Sequence, residues 1–187
     1  MNNKELNDNL MLKLTEFDEL YFEDMLLYPN SFMGKYINPK MTRLGTLLES
    51  NNISIIIEDQ LKYEVDAYFD EEEFAIYITT SNAADETTLL HEMIHAHEIL
   101  LSKMSSTLRD SFVIELYKHL KTRISMLDEL ILFHSYLDNI IKMKEISVEH
   151  SLLFFLKSLD LDLKTNKELL TTFGYNYKDA YKECKIL

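Results

Sequence analysis

Cysteine is almost missing from these 187 residues, and the single one, Cys184, can build neither a disulfide framework nor a thiolate metal site within one chain. Any metal held here therefore needs nitrogen and oxygen ligands. Glycine and proline are nearly as scarce, at three and two residues. A chain so poor in both, yet 47% hydrophobic, is neither disordered nor a turn-rich all-β fold, and long helices are its expected filling. Basic side chains are outnumbered, 19 against 32 acidic ones, for a formal net charge of −13. That field repels polyanions at long range, so neither nucleic acid nor an acidic membrane is an expected partner. No stretch approaches about 18 consecutive apolar residues, the length of a membrane span. The opening Met1–Leu12 mixes Lys4, Glu5 and Asp8 among its apolar residues, unlike a secretory signal. The expectation is a cytoplasmic protein.

What is present is a helical pattern interrupted once. Leu10, Leu14, Phe17, Tyr21 and Tyr28 recur at near-helical spacing in an acidic segment and predict an amphipathic helix ending before Pro29. Asn38-Pro39 predicts the entry of a second, shorter helix, closed by Asn51-Asn52. Then come the β-rich stretches Ile53–Ile57, Tyr63–Phe69 and Phe74–Thr79, with the acidic Asp70–Glu73 read as a hairpin tip, for a small sheet of about three strands. Asn82 or Asp85 can cap a helix running from Glu86 to near Lys103. Ser102–Thr107 reads as a break, and helical spacing then continues nearly to the end, weakened near Ser125, Ser147 and Thr165. The fold class is α+β. One domain is expected over 1–187, with a catalytic core to residue 124 and a helical subdomain over 125–187.

The chemistry is carried by His91-Glu92-Met93-Ile94-His95. A helix turns about 100° per residue, so His91 and His95 share a face one turn apart and can direct two imidazoles at one zinc ion. Glu92 stands beside that face, placed to take a proton from attacking water and pass it to a leaving amine. Six His and 19 Glu in 187 positions make the five-residue pattern expected by chance only about 0.02 times.

The run Leu90-His91-Glu92-Met93-Ile94-His95-Ala96 resembles the active-site helix of the zincin metallopeptidases, with wording close to that of SprT-like proteins. The resemblance covers a quarter of the chain and implies a zinc-dependent peptidase with one zinc per chain. Glu115 lies 20 residues after His95, a spacing similar to that of the gluzincin third ligand. A helical hairpin folded near Ser105 would bring Glu115 level with His95 and His119 level with His91. Asp110 has the spacing of a SprT-like third ligand, although no histidine occurs between His97 and His119. Glu115 ranks first as third ligand, His119 second and Asp110 third. No Asn precedes Glu115, and His119 stands where gluzincins often place an aspartate. Zincins also bind extended peptide along an edge strand ahead of the active-site helix, which by resemblance assigns Ala75, Ile76, Tyr77, Ile78 and Thr79 to the substrate cleft.

His97 and Glu98 read as surface, and His134 and His150 as hydrogen-bonded or partly exposed histidines within apolar helices. Two rivals to a peptidase acting on peptides or proteins stand beside it. One is a zinc-containing regulatory protein acting on one partner. The other is a helical interaction domain in which the motif is coincidental.

Overall fold

The computed structural model describes residues 3–22, 53–63, 65–83, 85–104, 106–143, 150–174 and 177–184. The helix expected after Asn38-Pro39, the end of the first helix near Pro29 and the break near Ser147 fall outside them. The fold is α+β, mostly helical, with one small mixed sheet. The chain forms two compact units, residues 1–108 and 109–187, a division earlier than the 124/125 expected from sequence. No described helix is long and apolar enough to cross a membrane.

In the first unit, α1 (Asn3–Tyr21) buries Leu10, Leu14 and Phe17 at helical spacing. Strands β1 (Ser54–Glu58), β2 (Ala67–Asp70) and β3 (Ala75–Thr79) form a sheet in the order β1-β3-β2. β3 pairs parallel with β1 and antiparallel with β2. The β2–β3 hairpin turns through the acidic tip, where the Asp70 carboxylate accepts from the Glu72 and Glu73 amides, both at 2.9 Å. Phe74 closes that turn at φ 53° and so belongs to the loop rather than to β3. One sheet face is core: Ile55, Ile76 and Ile78 are buried.

The ladder decides which backbone groups look away from the sheet. Ser54 donates to the Phe74 carbonyl and Thr80 to that of Glu58, so the even residues of β1 face β3 and Ile55 faces outward. Its carbonyl is met by the Asn7 side-chain amide of α1 at 2.8 Å. On the other side, Thr79 donates to the Asp66 carbonyl at 3.0 Å; alternation along the ladder then turns the Phe69 N–H outward.

Helix α2 (Glu86–Met104) packs on β2 and α1. Of the two expected caps Asp85 serves, its carboxylate accepting from the Thr87 and Thr88 amides at 3.3 and 3.0 Å. Asn82 instead ties Asp66 to Thr79. α1 and α2 are pinned by a buried pair, Asp18 Oδ1 and His97 Nε2, 2.8 Å apart. The His97 ring stacks on Phe22 at 4.3 Å. His97 is therefore core, against the surface position expected for it, and its partner comes from 79 residues earlier in the chain.

The second unit holds most of α3 (Ser106–Lys121), with α4 (Leu127–Met143), α5 (Leu152–Lys164) and α6 (Tyr177–Cys184). Helix α5 is buried continuously from Leu153 to Asp162, as its near-unbroken apolar run LLFFL requires. Ser151 caps it by accepting from the Phe154 amide at 3.2 Å, and Thr165 ends it, as expected. Three charged residues accompany that run inside. Lys157 is fully buried and lies 2.8 Å from Asp160 Oδ2, which Lys164 also reaches at 2.7 Å. Asp162 accepts from the Thr171 and Thr172 amides and from the Thr172 hydroxyl at 3.1, 2.9 and 2.6 Å, which fastens the 170–174 turn to α5. His134 and His150 are both buried, His134 Nε2 lying 3.0 Å from the His150 carbonyl.

Candidate metal centre

Helix α2 carries His91, Glu92 and His95 in its second and third turns, with the Asp85 cap fixing its start. Leu89, Leu90, Met93, Ile94 and Ala96 around them are all buried, so these polar side chains emerge from an apolar wall that holds their backbone still. The His91 and His95 rings meet edge to face with centroids 5.4 Å apart. One ring nitrogen of each lies within 4.8 Å of the other. Two nitrogens bound to one tetrahedral zinc at about 2.0–2.1 Å stand about 3.4 Å apart, which small side-chain rotations reach from here.

Burial sets the protonation of the site. It pushes His95 down to about 3, with the neighbouring His91 adding to the effect, so the imidazole is neutral and its lone pair is available to a cation. It pushes Glu92 the other way, up to about 8, against the pull of a hydrogen bond from the Phe69 backbone N–H. Glu92 is 5% exposed. The outward amide of β2 thus ends on the carboxyl group of the motif, a contact that no local sequence signal announces. A neutral His95 nitrogen and the His91 ring, beside a carboxyl group whose ionised form needs a nearby positive charge, are a donor set that fits a divalent cation. The His91–His95 pair could hold a metal ion.

No family model, curated protein or solved structure matches this chain.

The other expected site residues are placed as follows. Glu115 lies on α3 in the second unit, its side chain 14% exposed and 3.0 Å from Lys118 Nζ. His119 is exposed, its Nε2 3.5 Å from Arg123 Nη1, and Asp110 is exposed as well. The strand assigned to the substrate cleft requires a correction. Ala75, Ile76, Tyr77, Ile78 and Thr79 form β3, the middle strand, bonded to β1 on one side and β2 on the other. Their backbone is already used and cannot accept an added strand. The edges of the described sheet are β1 and β2.

Proposed function

We propose that this chain is a zinc-dependent peptidase. The observation that carries the reading is a single helix presenting two imidazoles on one face, His91 buried and His95 half-buried, with a buried carboxyl group next to them. His91 and His95 would hold the ion, and Glu115, on its spacing from His95, is the proposed third protein ligand. Zinc bound there would supply Lewis acidity towards a carbonyl and lower the pKa of water towards neutral. Glu92 acts as base towards that water and returns the proton to the leaving amine. The Phe69 amide fixes the carboxyl group from behind, limiting its rotation.

A second reading has one observation of its own. Residues 109–187 form a compact unit with a full core, more chain than the chemistry needs. That supports a protein acting on one specific partner and not on peptides in general.

Zinc stoichiometry of purified wild type, His91→Ala and Glu115→Ala, each checked for fold by circular dichroism, tests the proposal. About one zinc per chain, lost in His91→Ala, is expected. The same series through His119, Asp110 and the buried His134 and His150 assigns the third ligand if Glu115→Ala keeps its metal. Absence of zinc from metal-replete wild type overturns the reading. Full turnover in Glu92→Gln would remove that residue from the mechanism.

A further inference from the structure

Between Glu58 and Glu73 stand eight acidic side chains and one lysine, a net of −7 in a chain whose total is −13. The same segment supplies part of the sheet face turned away from the isoleucine core. Tyr68 of β2 and Tyr77 of β3 are cross-strand partners. Their rings lie flat on one another, centroids 4.7 Å apart and planes 4° from parallel. Tyr63, from the turn ahead of β2, stands edge-on to Tyr68 at 5.3 Å and is 58% exposed. The three rings make one aromatic surface. Acidic groups border it: Tyr77 donates its hydroxyl proton to the Glu73 carboxylate, and Glu58, Glu71 and Glu72 are exposed nearby in sequence.

Such a surface selects by charge. Aromatic faces attract cations through the ring quadrupole, and a surrounding negative field raises the local concentration of cations while repelling nucleic-acid phosphates. The molecule already shows the interaction on itself, since the Lys62 ammonium sits 5.0 Å from the Tyr63 ring centre. A purely apolar partner would leave the tyrosine hydroxyls and the acidic border unused.

We propose that the Tyr63–Tyr68–Tyr77 face is a docking surface for a lysine- or arginine-bearing segment of a partner protein, whose cationic side chains lie on the rings inside the acidic border. The surface requires neither metal nor peptide cleavage, so it stands or falls apart from the function proposed above.

The test is an NMR titration of the full-length, isotope-labelled protein with an unstructured lysine- and arginine-rich peptide. Peptides of the same length with those residues replaced by serine or by glutamate serve as controls. Shifts confined to the basic peptide and mapping to residues 58–79 are expected. The Tyr68→Leu/Tyr77→Leu double variant, apolar but without π faces, should weaken binding about tenfold. Should that variant lose its fold by circular dichroism, Tyr63→Ser in the exposed turn replaces it, with a drop of about threefold expected. Unchanged affinity in the folded leucine variant, or in Tyr63→Ser if that replaces it, would show diffuse charge attraction only and overturn the proposal. So would equal binding of the serine peptide, or no binding at all.

Discussion

Replacing Glu92 by glutamine should stabilise the metal-free protein while disabling it. The carboxyl group is 5% exposed, and burial holds it up to about 8, against an ordinary value of 4.5 in the unfolded chain. At pH 7 the unfolded carboxyl has released its proton and the folded one has kept it. Each unit of pKa difference corresponds to about 1.36 kcal/mol, so unfolding is favoured by about 3 kcal/mol at this residue alone. A group whose pKa is raised by folding does no harm below its unfolded value, and its penalty grows as pH rises from about 4.5 to about 8. Glutamine has the same shape, accepts the Phe69 hydrogen bond and carries no proton to lose. Urea unfolding of both proteins in chelator, at pH 4.5, 6 and 8, should show Glu92→Gln ahead by about 4 kcal/mol at the upper end and nearly level at the lower. Saturating zinc should narrow the gap, because a nearby cation lowers the cost of ionising the carboxyl group. An advantage over wild type no larger at pH 8 than at pH 4.5 would refute the reasoning, since the penalty has no other source.

Asp160→Asn leaves the fully buried Lys157 ammonium without its anion and should cost about 3–5 kcal/mol in chemical denaturation. The double change Lys157→Met/Asp160→Leu should recover most of that loss. Burial opposes ionisation of Asp160, but the Lys157 and Lys164 ammonium groups outweigh it and hold the group at about 2. Its share of stability is therefore complete above about 4 and lost as pH falls through about 2. Asp162→Ala removes the acceptor of two amides and a hydroxyl, and should cost about 2–3 kcal/mol while raising amide exchange at Thr171 and Thr172.

Much of this could be read along the chain, because it is local. The run from Glu86 to Met104 announces itself by its Asp85 cap and its apolar stripe, and the histidines at 91 and 95 share a face as a consequence of helical pitch. The three strands are legible for the same reason: β-branched and alternating residues bounded by polar turns. What escaped is what depends on pairing between distant segments. Nothing in Ala75–Thr79 distinguishes a middle strand from an edge, because strand order is set by where β1 docks. His97 looked like surface because Asp18 and Phe22, which bury it, lie on α1 and just past its end. The Phe69–Glu92 bond was invisible because a backbone amide carries no side-chain signature.

That bond and the one between Asn7 and Ile55 have a consequence for molecules in company. A three-stranded sheet ends on both sides in outward-facing peptide groups, which invite a strand from a second molecule. Here the Ile55 carbonyl on one side and the Phe69 amide on the other are each occupied by a helix side chain. A neighbour seeking to extend the sheet would have to displace Asn7 or Glu92 first. On this geometry Glu92, the residue proposed for proton transfer, would also hinder growth of the sheet, and Glu92→Ala should aggregate more readily than Glu92→Gln.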